Sequence, residues 1–544
     1  MKRLVMWMLS VALFVPAASP ALAAPQADQH DHGAPAGRLG AVHFPTSCTP
    51  AAQPAFDRGV ALLHSFWFSA AIESFKTALA ADPRCVMAQW GTAMSWWGNP
   101  FAGFRSPQGL TAGLAATDAA RAGGAGTDRE KAYVSAVDLL FREAATTDQR
   151  VRTLAYEQAM AALTARYPDD IEARIFYAVA LDQTALPTDK TYANQLKAAA
   201  ILEDEFTRQP EHPGLAHYII HSFDVPALAP RALDAARRYA KIAPDAPHAL
   251  HMPSHTFTRV GSWQESIDTN IASAAAARKA NSAAEELHAL DYEVYAYLQT
   301  AQDAAAKRTI DGTAAPGERL AQPGAGNAAP PPAGYYALAA MPARYALERA
   351  AWAEAAALTP RQTAFGWADA VTYFARALGA ARSGHPEAAG PDLDRLAALR
   401  ETLEAAHDSY WAGQVDIQRR VATAWVALAE SRKEAALAMM REAADMEDAT
   451  EKSAVTPGPL KPARELLGEM LLQLQQPGPA LTAFEATMAK EPNRFRATYG
   501  AARAAAAAGE RQKASGYYRR VLEIARAGDS EGRPELAEAR TALK

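Results

Sequence analysis

Apolar residues recur with a helical period along most of the chain, in segments separated by Pro or Gly. Alanine-rich runs such as Ala501 to Ala508 and the scarcity of β-branched stretches favour helices joined by short turns. The pattern predicts an all-α protein. A Pro/Gly/Ala-rich stretch, GAGNAAPPPAG, interrupts it between Asp311 and Gly334 and reads as a flexible linker or long loop over 306–336, dividing one helical array (46–305) from a second (337–544). A further irregular stretch is expected over about 99–127.

The helical segments also share a phase of 34 residues, the length of a tetratricopeptide helix pair, which carries small residues at positions 8, 20 and 27, an aromatic at 24 and Pro at 32. From Ala52 the matching residues are Gly59, Ala71, Phe75, Ala78 and Pro83. Near the C-terminus they are Gly468, Ala480, Phe484 and Pro492, followed one period later by Ala514 and Tyr518. Small residues let the two helices of a pair approach closely, and Pro ends the second helix. Pro210 and Pro244 mark a weaker pair. Degenerate pairs are expected around 152–168, 170–209, 344–360, 370–403 and 421–446. The fold class is an α-solenoid of such pairs, in two arrays.

Lys2 and Arg3 precede an apolar run from Leu4 to about Val15, then Pro16 and Ala21-Leu22-Ala23. This reads as a signal peptide over 1–23, since a membrane anchor needs roughly 20 apolar residues. A flexible tail over 24–45 is expected to follow, with no membrane span after cleavage and an exported, periplasmic or secreted, location. The formal net charge of −5 excludes the basic surface that nucleic acid requires.

In an exported chain the only two cysteines, Cys48 and Cys85, are expected to pair. The repeat phase supports this: Cys48 precedes the first helix of an antiparallel pair and Cys85 follows the second. Closing a 37-residue loop is worth roughly 4 kcal/mol in chain entropy.

Six of the thirteen histidines fall between residues 212 and 255. His217 and His221 are four apart, as are His251 and His255, so each pair shares a helix face, and the pairs lie one repeat apart. With His212 and His248 they point toward one segment of the concave groove. First helices pack at roughly 10 Å and Zn–N bonds are about 2 Å, so the two pairs are expected to close on one Zn, Cu, Ni or Fe ion. Asp182, Asp224, His288 and Asp291 are candidate additional ligands or supporting groups. Pro253, inside the second pair, either kinks its helix or starts a new one. No H-E-x-x-H, G-x-S-x-G, phosphate loop or Cys-His nucleophile pair is present. Trp90, Met94 and Trp97, with Phe101 and Phe104 beyond and His64 beside them, form an aromatic stripe that is either core or a groove platform for an extended peptide.

The strings HFPTSC, FDRGVALLHSFWF, MAQWGTAMSWWG, HPGLAHYIIH, HALHMPSH and VTPGPLKPARELLG resemble a family of exported bacterial tetratricopeptide-repeat proteins of unassigned activity. The resemblance covers most of the mature chain and implies a scaffold that binds protein or peptide partners. It brings no catalytic residue. Two functions fit: an exported scaffold binding a protein, peptide or small ligand in its groove with a histidine-held metal, or a metal-dependent hydrolase or oxidase on a helical-repeat frame.

Overall fold

A computed structural model describes residues 37–124, 126–322, 327–529 and 533–544. The signal-peptide segment lies outside these residues. Every regular element among the described residues is a helix, nearly all packed on their neighbours in sequence. No described helix is long and apolar enough to cross a membrane.

The repeat phase is visible in how one ring packs. Phe75 lies so close to Gly59 and Gly91 that a Cβ on either would sit 2.5 Å or 2.3 Å from it. Phe484 stands in the same relation to Gly468 and Gly500, at 2.8 Å and 2.4 Å. Position 24 of a repeat is therefore wedged between its own first helix and the next one, and only glycine admits it. Cys48 and Cys85 are bridged, with Cα atoms 4.9 Å apart.

Of the buried clusters, one is built mainly from residues between Leu39 and Phe257 and one mainly from Tyr336 to Ala539. A third, around Ala283–Gln299 and Pro331–Glu348, lies between. The later repeats return to the middle of the chain: Trp263 Nε1 donates to the Asn493 carbonyl at 2.8 Å, and Arg533 pairs with Asp303 at 2.7 Å. Gly261, at φ +70°, lies where a Cβ would meet the Pro492 carbonyl at 2.2 Å.

Three expectations are corrected. The stretch over 99–127 contains a helix, Pro107–Ala122, capped by Ser106, whose side chain accepts from the Gly109 amide. Its Gly113 serves close packing, since a Cβ there would lie 2.1 Å from Phe141. The stretch over 306–336 is also largely helical where described: Asp303–Asp311 extends into it, Ala314–Arg319 lies within it, and Pro331 begins Pro331–Glu348. Its alanines propagate helix and its prolines sit where a helix starts. Residues 323–326 lie outside the description. The described part of the expected tail, from Arg38 to Pro45, is packed down. Phe44 is fully buried against Phe56, Trp90 and Tyr133, and the Ala41 amide donates to the Glu211 carbonyl.

Candidate functional site

The histidines sit on successive first helices. His217 and His221 are on Pro213–Ser222, and His248 and His251 are on Pro247–His251. His255 is on Pro253–Val260, and His288 on Ala283–Gln299. Pro253 opens its own helix, yet Met252 keeps helical backbone angles and the His255 amide bonds the Met252 carbonyl at 3.1 Å. His251 and His255 thus stay on one face despite the proline.

The structure divides the four expected ligands between two triads instead of closing them on one point. His217, His221 and His248 form one, and His251, His255 and His288 the other; within each, one ligand nitrogen per residue lies within 4.8 Å of the others. Each triad takes an i,i+4 pair from one repeat, on a single helix for His217 and His221 and across the Pro253 break for His251 and His255, and its third histidine from the next repeat. The one-repeat offset that aligns the pairs also sets them apart, with the His221 and His255 ring centroids 6.1 Å from one another, while His248 and His288 reach across.

Hydrogen bonds fix the tautomers of His251, His255 and His217. Asn270 Nδ2 donates to the Ser266 carbonyl at 2.7 Å, so Asn270 Oδ1 faces His251 Nδ1, 2.7 Å away, and that nitrogen must carry the proton. His255 Nδ1–H donates to Asp224 Oδ2 at 2.9 Å. Both Nε2 atoms are then bare, and they face one another at 3.1 Å. In the other triad His217 Nδ1–H donates to the His64 carbonyl at 2.6 Å, so its Nε2 is also bare, 3.1 Å from His221 Nε2. Two imidazoles on one tetrahedral ion with bonds near 2 Å hold their nitrogens roughly 3.3 Å apart.

Protons do not fill these gaps readily. Burial drives His217 and His288 down to about 3, and His221, His248 and His251 well below the ordinary imidazole value, with neighbouring histidines adding to the effect. His255 is lowered by burial against the opposing pull of Asp224. His248 Nε2 and His288 Nδ1 are buried without a partner.

The carboxylates support the rings. Burial opposes ionisation of Asp224, but Lys452, Arg259 and His255 outweigh it and hold the carboxyl well below its usual range. Lys452 Nζ lies 3.0 Å and Arg259 Nε 2.8 Å from it. Asp291 is occupied by Arg344, and burial raises it to about 6. Asp182 accepts from Ser222 Oγ at 2.6 Å, and burial raises it well above the carboxylate range. Neither aspartate reaches a triad.

His64 and His212 belong to a separate group around Glu172, at 2.9 Å and 3.1 Å from its two oxygens. Burial resists ionisation of Glu172, but the two histidines hold its carboxyl well below normal. His64 Nδ1 is 3.1 Å from the Tyr218 hydroxyl, so this group anchors the backbone carbonyl that orients His217. Trp90, Met94, Trp97 and His64 are all buried and belong to the core, whereas Phe101 and Phe104, at the far end of the stripe, are half-buried and line the cleft beside the triads. Sequence reasoning missed Asn270, Glu172, Arg259 and Lys452. A buried amide in mid-helix was the one available signal, and Lys452 arrives from 228 residues away.

A cleft of about 1090 Å³ lies beside the triads, lined in part by Phe101, Arg150, Phe365, Trp367, Trp411 and Lys452, and it reaches His221 and Asp224. Trp367 and Trp411 stack with centroids 4.1 Å apart.

No family model and no curated protein matches the chain. Among solved structures it is similar to yeast Tom70 at 11% identity, covering 90% of this chain and 95% of that one, with a TM-score of 0.26. It is similar to a monomeric IFIT1 mutant with Gppp-AAAA at 12% identity (81% and 90% covered, TM-score 0.37) and to Naa15/Naa10 bound to HypK-THB at 12% (91% and 73%, TM-score 0.24). Likeness at this level transfers no ligand, partner or chemistry.

Proposed function

We propose that this helical-repeat scaffold is an exported transition-metal protein that binds a short peptide or small ligand in its cleft beside a histidine-held metal. The carrying observation is the pair of bare Nε2 atoms of His251 and His255, 3.1 Å apart, with both Nδ1 protons committed elsewhere. Two lone pairs at that distance repel unless a cation lies between them, and desolvation disfavours a proton. All-imidazole donors suit Cu, Zn, Ni or Fe over Mg, Ca or Mn. Asp224 and Asn270 act as the outer partners that a ligating histidine requires. Export is supported by the charged and apolar N-terminal pattern and by the Cys48–Cys85 bridge.

Tag-free protein purified from its native compartment is expected to retain stoichiometric transition metal by elemental analysis. Asp224→Asn, which weakens the hold on the His255 ring, is expected to lower zinc affinity about 10- to 100-fold in a competition titration, while His385→Ala leaves it unchanged. Protein that neither retains nor takes up Zn, Cu, Ni or Fe would falsify the metal reading.

A metal-dependent hydrolase or oxidase is the second reading. It is favoured by His221, which borders the cleft and so brings one ring of the first triad within reach of a bound molecule. Mass spectrometry of material carried by the natively purified protein separates the two: a binding protein returns its ligand unchanged after incubation with metal, an enzyme returns it cleaved or oxidised.

A further inference from the structure

We infer that the two triads hold two metal ions at once, as a pair sharing one small oxygen ligand between them. This rests on the metal reading above and goes beyond it in number and arrangement. Three observations carry it.

The first is that neither triad needs the other's donors. Each has three nitrogens of its own within 4.8 Å. Each also contains one buried nitrogen with no hydrogen-bond partner, in His248 and in His288. A single ion at one triad leaves the orphaned nitrogen of the other without a partner.

The second is adjacency. The rings of His221 and His255 have centroids 6.1 Å apart and those of His248 and His251 are 6.0 Å apart, so the triads meet along two edges. They are successive turns of the repeat carrying the same i,i+4 motif.

The third is the space between them. A small cavity is lined by His221 and His248 from one triad and by His255 and His288 from the other. Its volume is about 10 Å³, close to the minimum that admits one water. Three protein nitrogens leave a tetrahedral ion one open position. Two such ions facing a common one-water space share a water or hydroxide there. An anionic bridge is favoured further because, among the described residues, no carboxylate joins either triad as a ligand, and Asp224, which meets His255 only at its outer nitrogen, is already balanced by Lys452 and Arg259.

The test uses the full-length, tag-free, metal-stripped protein, with Zn(II) for stoichiometry and Cu(II) as the spectroscopic probe. Wild type is expected to bind two ions per chain in calorimetric titration. His248→Ala and His288→Ala, each breaking one triad, are expected to bind one. With two Cu(II) per chain, bridging should couple the spins and reduce the paramagnetic resonance signal well below two spins, whereas each variant gives close to one uncoupled spin. Wild-type saturation at one ion overturns the pair while leaving the metal reading intact, and no binding overturns both. Two ions with full, uncoupled signals overturn the shared ligand. The wild-type stoichiometry decides even if a variant fails to fold.

Discussion

Asn270 carries no charge, yet its amide, oriented by the Ser266 carbonyl, dictates which nitrogen of His251 is free. The same dependence on one buried partner governs Glu285, which accepts from the Ala328 amide through one oxygen while its other oxygen has no partner. Burial raises its carboxyl to about 7. Because the folded value lies above the unfolded one, the two states bind the proton equally below about pH 4.5. As pH rises toward 7 the unfolded chain ionises first and stability falls, then levels off. Glu285→Gln is expected to remove that slope and to be more stable at pH 8, by at most about 3 kcal/mol; denaturant melts between pH 4.5 and 8 check this. An unchanged slope would mean that the carboxyl ionises normally in the folded protein.

At the scale of the helix pair, the glycine and aromatic phase read from the sequence corresponds to a specific wedge, Phe484 between Gly468 and Gly500. Gly500→Ala should cost about 1–3 kcal/mol, because the ring has no room to yield. Gly516 lies in Arg511–Ile524 with open space where its Cβ would be. Gly516→Ala should therefore stabilise by up to about 1 kcal/mol. Urea unfolding of the two variants gives opposite signs if the wedge is real, and matching signs would refute it. The i,i+4 histidine pairs were legible at this scale too, since helical period and repeat phase are properties of the string. The helix over 107–122 was not, because Gly109 and Gly113 look like breakers until the packing of Phe141 on Gly113 is seen.

At the scale of the whole molecule, the segment between Lys433–Asp448 and Ala463–Gln473 crosses to the first array and closes the site. Lys452 pairs with Asp224, Val455 lines the small cavity, and the Thr456 carbonyl accepts from the Tyr292 hydroxyl. Arg344, fully buried, holds that segment through the Pro459 and Gly458 carbonyls and Thr456 Oγ1 while pairing with Asp291. Arg344→Ala should cost about 3–5 kcal/mol, since it strands a buried carboxyl and frees three acceptors. Chemical denaturation measures it, and a loss below about 1 kcal/mol would show that the segment is held by other contacts.

The sequence alone determined the helical class, the repeat length, the pairing of the cysteines and the two i,i+4 histidine pairs. All of these follow from local period and from a 34-residue phase that any observer of the string can count. Only the tertiary structure decided that His248 and His288 complete two triads, and that Asp224, Asn270 and the His64 carbonyl fix the tautomers of His255, His251 and His217. It alone brought Lys452 to Asp224 across 228 residues. The physical reason is that a repeat specifies which face a side chain occupies, whereas the curvature of the stack and the return of the later helices set how far apart those faces lie. Metal chemistry depends on that spacing to within a fraction of an ångström.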